Sequence, residues 1–201
     1  DSDGRKQVLG VREGATENAA VVKSLLRDLV ERGLATERRI LFVIDGAKAL
    51  RTAIRKLFGA CALVQRCQFH KRQNVLEHLP KSKHASVARA LNDAYASHSV
   101  DLAKRQLERL ATSLQREHPG AAASLREGLD ETLTVIGLGV GETLRRSLST
   151  TNPIENVNSA IERYTKNVKR WRGGEMILRW VCAALLDTES QFRRLRGYRE
   201  M

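Results

Sequence analysis

Two acidic residues in this 201-residue sequence stand where a carboxylate can do chemistry. Asp45 follows a short aliphatic and aromatic run, Ile40–Ile44, which is typical of a buried strand. Open α/β sheets bind ligands at the carboxyl ends of their strands, so Asp45 is predicted to lie at a ligand-binding edge. The same residues also fit an Asp-Gly turn or a cap for the next helix, and Asp45 alone does not separate these interpretations.

Glu155 is the second acid, and it lies in a segment typical of a helix start. Polar residues at 150–152 precede Pro153, whose missing N–H costs nothing in a first helical turn. A helix is predicted from about residue 152 to 169, with Glu155 on its polar face. An acid in the first turn also stabilises a helix through its dipole, which is a sufficient explanation of Glu155 taken alone.

Cys67, the last residue of a short strand predicted at 61–67, forms a Cys-x₂-His pair with His70. The pair could supply two zinc ligands, but no second Cys/His pair stands at zinc-finger spacing. A hydrogen-bonded or packing role near the end of the sheet is therefore favoured. A glycine-rich stretch at 137–141 does not have the Gly-x-Gly-x-x-Gly spacing of a dinucleotide-binding loop.

The charge of the sequence indicates the kind of partner. The formal net charge is +12, and the excess lies at the two ends: residues 1–80 carry 15 basic and 9 acidic residues, and residues 145–201 carry 12 and 6. Of the 35 basic residues, 25 are arginine, which binds phosphate bidentately. A polyanion, nucleic acid first, is the predicted partner, and a solvated basic surface is the alternative.

The composition indicates a globular, intracellular protein. Hydrophobic residues make up 42% of the sequence, which suits a chain with a core. The longest uninterrupted aliphatic or aromatic run is far shorter than the ~20 residues that cross a bilayer, so no membrane association is expected. Three cysteines, an odd number, do not resemble a disulfide framework, and a reducing compartment such as the cytoplasm is favoured.

The candidate residues require elements that position them. Strands and helices are predicted to alternate in the first part of the chain, with strands at 6–13, 40–44 and 61–67 and helices at 16–32 and 47–58. Thr16 is the predicted cap of the first helix, and Gly33 is its predicted stop. This alternation predicts an α/β fold with parallel neighbouring strands. A hairpin turn at residues 1–4 needs a partner strand before it, so the chain is interpreted as a fragment of a larger protein.

The pattern changes after Pro80. Residues 81–131 have helical periodicity and no strand signal, and two helices are predicted there; further helices are predicted at 152–169 and 174–195. The predicted organisation is a core formed by residues 1–80 and 139–201, interrupted by a helical insertion at 81–138.

Three motifs resemble those of the Mutator-like transposases of bacterial insertion sequences: FVIDGAKAL at 42–50, VQRCQFHKRQN at 64–74 and TTNPIENVNS at 150–159. That resemblance implies an RNase H-like mixed sheet flanked by helices, with an all-helical insertion before a catalytic Glu. It implies an Asp-Asp-Glu triad in which Asp45 matches the second Asp and Glu155 the final Glu. Both would bind Mg²⁺ or Mn²⁺, with Cys67 and His70 beside them. The family's first Asp lies on a strand that would precede residue 1, so the fragment alone is expected to be inactive.

The resemblance also implies metal-dependent cleavage and strand transfer of DNA. The partners would be transposon ends and target DNA, the protein would form a homo-oligomer, and it would act on the bacterial nucleoid. The basic residues expected to contact DNA are Lys48, Arg51, Lys71, Arg72, Lys166, Lys169 and Arg170. A non-catalytic remnant that only binds DNA, and a cellular RNase H-like nuclease, are the alternative interpretations.

Overall fold

The computed structural model describes residues 1–14 and 19–200, most of which are helical. Thr16, the predicted helix cap, lies outside the described residues. The elements in chain order are α1 (Ala19–Glu31), β1 (Ile40–Ile44), α2 (Lys48–Phe58), β2 (Ala62–Arg66), α3 (Gln68–Leu76), α4 (Lys81–Ala96), α5 (Val100–Leu114), α6 (Pro119–Arg126), α7 (Thr134–Gly137), α8 (Glu142–Leu148), α9 (Asn152–Thr165) and α10 (Gly174–Ser190).

Strands β1 and β2 form a parallel pair, with Ile40 opposite Ala62 and Ile44 opposite Arg66. The predicted parallel arrangement is therefore confirmed for these two strands. In the described part of the chain the sheet has only these two strands, so the second edge of β1 has no partner. The prediction of a strand at 6–13 is wrong for this structure, because that segment pairs with no other strand among the described residues. The Val8 amide instead donates to Glu189 Oε1 at 2.9 Å.

One apolar cluster joins the sheet to α1 and α2. Its buried residues include Leu26 on α1, Ile54 and Phe58 on α2, and Val64 on β2. The ring of Phe58 lies 4.8 Å from that of Phe42, centroid to centroid, in a tilted arrangement. Burial of these side chains fixes the strand ends relative to the helices, and each contributes about 1.5–3 kcal/mol relative to an exposed position.

A second apolar cluster lies among α3 to α6. Leu91, Leu107 and Leu125 are fully buried there, and small residues such as Ala103 and Ala111 let the helices approach closely. Three helices occupy the region where two were predicted, because a proline lies in the first turn of α6 and begins a new helix.

Helices α9 and α10, in the C-terminal part of the chain, pack against each other. They end at Thr165 and Ser190, four and five residues before the predicted 169 and 195. Among the described helices, none is both long enough and apolar enough to span a membrane.

Candidate functional site

Asp45 lies directly beyond the carboxyl end of β1 and is exposed. Its Oδ1 accepts a hydrogen bond from the Ala47 amide at 3.0 Å, so the predicted Asp-Gly turn exists together with an accessible carboxylate. The next residue, Gly46, has φ +116°, and a side chain there would collide with the buried guanidinium of Arg66. The backbone that carries Asp45 is therefore held against the end of β2.

Cys67 occupies the corresponding position beyond β2. Its amide donates to the Ile44 carbonyl at 2.7 Å, which extends the parallel ladder by one residue and places Cys67 beside Asp45 at the same edge of the sheet. The Cys67 side chain is fully buried, and its Sγ accepts from the Thr151 amide at 3.4 Å. Cys67 thus joins the sheet edge to the residues that begin α9.

Glu155 reaches this edge from the first turn of α9. Its Oε1 accepts from the Thr151 hydroxyl at 2.6 Å, and the same hydroxyl lies 3.2 Å from His70 Nδ1. His70 Nδ1 lies 3.7 Å from Glu155 Oε1. Thr151 therefore bridges α3 and α9 and fixes the orientation of the Glu155 carboxylate.

Potential ligand atoms of Cys67, His70 and Glu155 all lie within 4.8 Å of one another. The carboxylate of Asp45 is not part of that group, although its backbone is adjacent to Cys67. The sequence-predicted residues are therefore brought to one edge of the sheet, with three of them in direct proximity and Asp45 beside them.

The carboxylates suit a hard divalent cation. Oxygen donors are the usual ligands of Mg²⁺ and Mn²⁺. In the described part of the chain, no lysine or arginine forms an ion pair with either Asp45 or Glu155, and both side chains have solvent access. Two accessible carboxylates without a lysine or arginine partner fit a cation, whereas the sulfur of Cys67 is buried and hydrogen-bonded.

The prediction that Lys71 contacts DNA is wrong for this structure. Its side chain is fully buried, and its Nζ donates to the carbonyl oxygens of Ser124 and Glu127. Burial, assisted by the positive charge of Arg66, lowers the pKa of Lys71 to about 8. An ammonium enclosed in this way is not accessible to a DNA phosphate, and Lys71 instead joins α3 to the region around α6.

Other members of the predicted DNA-binding set differ in their surroundings. Arg51 pairs with Glu131 at 3.4 Å, while Arg72 donates to Asn92 Oδ1 at 3.0 Å and its guanidinium lies 5.3 Å from the centroid of the Phe69 ring. The remaining members are exposed: Lys48, Lys166, Lys169 and Arg170.

Sequence reasoning missed Thr151 and Arg66. Thr151 stands in the quoted motif, but a threonine before a helix is also an ordinary cap, and its partner His70 is 81 residues away. Arg66 is buried and donates to both the carbonyl and the carboxylate of Glu127, the residue that follows α6 and lies 61 residues further along the chain. The available signal is the polar pair Gln65 and Arg66 at the end of a strand that begins with apolar residues, because polar side chains in a buried strand need hydrogen-bonding partners.

Comparison with known proteins is informative about the whole chain. The sequence profile described as "Transposase, Mutator family" matches residues 1–195. The chain belongs to the Mutator family of transposases.

Similar curated proteins are transposases of bacterial insertion sequences. The transposase of element IS6120 from Mycolicibacterium smegmatis is 33% identical over 168 residues, which cover 84% of this chain and 50% of the relative. The transposase of element IST2 from Acidithiobacillus ferrooxidans is 29% identical over 168 residues, 84% of this chain and 55% of the relative. That of ISRM5 from Rhizobium meliloti is 29% identical over 201 residues, 100% of this chain and 49% of the relative. The chain thus spans about half the length of these relatives.

Proposed function

We propose that this chain is part of the catalytic region of a transposase that cleaves DNA strands and joins them to target DNA with the help of divalent cations. Asp45 and Glu155 are the proposed metal-binding carboxylates, and Cys67 and His70 support them. The observation that carries the proposal is the continuous series of contacts from the end of β1 through Cys67 and Thr151 to Glu155.

The proposed roles follow from what each side chain contacts. Asp45 and Glu155 would hold Mg²⁺ or Mn²⁺, and a pair of such ions supplies activation of the attacking oxygen and stabilisation of the leaving oxygen in an in-line phosphodiester displacement. Thr151 donates to Glu155 Oε1 and so orients this carboxylate. Buried Cys67 keeps the start of α9 against the sheet edge.

We further propose that β1 is an inner strand of an RNase H-like sheet. Its residues Leu41, Phe42 and Val43 are strongly apolar but only half-buried, and its second edge is unpaired in the described residues. An apolar cavity of about 480 Å³ lies between α1, α9, α10 and the extended segment at 6–11. A further strand that carries the first acid of the triad would bury these side chains and satisfy the β1 backbone.

DNA is the proposed substrate, and a homo-oligomer that pairs two transposon ends is the proposed assembly. The exposed Lys48, Lys166, Lys169 and Arg170 are the proposed phosphate contacts. The formal net charge of +12 supports this choice of partner, because most non-specific affinity for DNA comes from neutralised phosphates.

The test is DNA strand transfer by the transposase at the full length of its relatives. Asp45→Asn and Glu155→Gln each remove one charge with little change in shape, and each is expected to lower strand transfer at least about 100-fold, because both carboxylates are needed at the ions. Thermal unfolding midpoints are expected to stay close to that of the unmodified protein.

Matched controls separate the site from a general charge effect. Asp93 on α4 and Glu162 on α9 are exposed acids that form no ion pair in the described part of the chain, so Asp93→Asn and Glu162→Gln should retain activity. Retained strand transfer in Asp45→Asn or Glu155→Gln would remove that residue from the proposed site. Cleavage of RNA–DNA hybrids without joining of DNA ends would favour a nuclease instead.

A further inference from the structure

A cavity of about 270 Å³ opens beside the candidate site, between α3, α4 and α8. We call it the Phe69 pocket; the residues that matter to it are Phe69, Arg72, Asn92, Tyr95, Arg145 and Thr150. Phe69 is the second residue after Cys67, and Thr150 precedes Thr151. The Gln68 amide also donates to the Ser149 carbonyl at 2.9 Å, which ties the two sides of the pocket mouth together.

The positive charge of this pocket is not compensated. Arg145 is buried, and its guanidinium donates to the carbonyl oxygens of Ser97 at 2.8 Å and Ala96 at 3.2 Å. Arg72 donates to the neutral amide oxygen of Asn92. Among residues 1–14 and 19–200, no carboxylate forms an ion pair with either arginine. Both guanidinium groups are thus held by neutral acceptors, and that of Arg72 also lies 5.3 Å from the centroid of the Phe69 ring, so no described carboxylate neutralises either charge.

This contrasts with three basic residues on α2 and β2 that pair with acids. Arg51 and Arg55 pair with Glu131, and Arg66 pairs with Glu127. Each of those cations has a carboxylate partner more than 60 residues away along the chain, although Glu131 is shared by two arginines and Glu127 also lies 3.9 Å from Lys71. The lining acid of the Phe69 pocket, Glu142, is itself paired with Arg146. The pocket therefore keeps the excess charge of its two arginines.

The walls of the pocket offer aromatic surface. Phe69 is 38% exposed and lines the pocket, so part of its ring is accessible to a ligand. Tyr95 forms part of the opposite wall, and burial raises its pKa to about 12, so its phenol stays neutral and does not repel an anion. Aromatic faces stack on nucleobases whatever the base, and Asn92 adds an amide that can bond to a base edge.

The geometry points to a binding site for one unpaired nucleotide of the DNA strand, its base against Phe69 and its phosphate toward Arg72 and Arg145. The cavity lies near the lower limit of the ~300–1,000 Å³ typical of small-molecule sites, which suits a single base and excludes a base pair. Because its mouth adjoins the candidate site, the nucleotide that it holds would neighbour the phosphate that reacts. This inference rests on the proposed function, since it names how the same site holds its substrate.

The experiment measures fluorescence polarisation with two duplexes of identical sequence. In one duplex every base is paired; in the other, one adenine faces an abasic site, which lowers the cost of removing that adenine from the stack. The unmodified 201-residue protein is expected to bind the second duplex about tenfold more tightly, which lies in the range of about 5- to 150-fold that one base–aromatic stack confers.

Variants of the pocket identify the origin of that preference. Phe69→Ala should bring the affinity ratio of the two duplexes close to 1, with affinity for the paired duplex changed by less than about twofold, because the phosphate contacts remain. Phe69→Tyr keeps an aromatic face and should keep the preference. Arg105→Gln, on the exposed surface of α5, is the control for loss of one positive charge and should also keep it.

Two results would overturn the inference: equal affinity of the unmodified protein for both duplexes, or an undiminished preference in Phe69→Ala. Either result leaves the proposed function standing, because strand transfer by Asp45→Asn and Glu155→Gln is measured separately. Conversely, full strand transfer in those two variants would remove the proposed function and leave the base preference as an independent result. Circular dichroism at the assay temperature checks that each variant is folded.

Discussion

Lys71→Met tests whether the ammonium of Lys71, which joins α3 to the end of α6, is buried inside the molecule. The methionine side chain has a similar length and no charge, so it removes the ammonium while it preserves the volume. Lys71 is fully buried and donates to two backbone carbonyls on the neighbouring helical segment. Burial of the charged form is the main cause of its lowered pKa.

The magnitude follows from the difference in proton binding. The pKa of Lys71 is 10.5 in the unfolded chain and about 8 in the folded one, so between these values the unfolded state binds more protons. The free energy of unfolding therefore rises with pH across this window, by about 2 kcal/mol between pH 8 and pH 10. Above pH 10 the raised pKa of Tyr95 acts in the opposite direction, which sets the upper limit of the useful range.

Urea unfolding followed by far-ultraviolet circular dichroism at pH 8, 9 and 10 measures this effect. Relative to Lys71→Met, the unmodified protein should gain about 2 kcal/mol in unfolding free energy from pH 8 to pH 10. Lys83→Met is the control, since Lys83 lies on the surface and pairs with Glu117 at 3.0 Å. The unfolding free energy of this variant should differ from that of the unmodified protein by the same amount at all three pH values. A constant difference for Lys71→Met would refute the burial of this ammonium.

Two further predictions concern the support of the candidate site. Gly46→Ala should lower the free energy of unfolding by about 1–3 kcal/mol in a urea titration, because its φ of +116° is strained for alanine and the new methyl group meets Arg66. Gly59→Ala has a positive φ in open space and should cost less, so equal losses would contradict the steric part of the argument. Thr151→Val should lower strand transfer about tenfold with little effect on the melting temperature, because it removes a hydrogen bond to the charged Glu155. Thr151→Ser should restore the activity, and full activity in Thr151→Val would contradict the positioning role.

Much of the sheet region could be predicted from local patterns. The apolar run at 40–44 forms β1, and the amphipathic segment after it forms α2 with Ile54 and Phe58 inward. Gly33 ends α1 with a φ of +103°, the conformation for which a glycine was expected. These outcomes depend on short-range rules, namely burial periodicity and backbone sterics, that act within a few residues of the chain.

The rest depends on contacts between distant parts of the chain. The segment at 6–13 has strand-like residues, but a strand needs a paired neighbour, and this segment has none among the described residues. Lys71 looks like a surface cation in the sequence because its carbonyl acceptors lie 53 and 56 residues later. The bridging role of Thr151 likewise requires that α3 and α9 meet, which no local pattern encodes.

The central claim is that the carboxylates of Asp45 and Glu155 hold the same divalent cations. The most direct measurement is a titration of the transposase, at the full length of its relatives, with Mn²⁺ followed by the electron paramagnetic resonance signal of the free ion. A shared site predicts that Asp45→Asn and Glu155→Gln each weaken Mn²⁺ binding at least about tenfold, and that the double variant is weakened by much less than the product of the two single effects. Fully multiplicative losses, or unchanged affinity in either single variant, would contradict the claim.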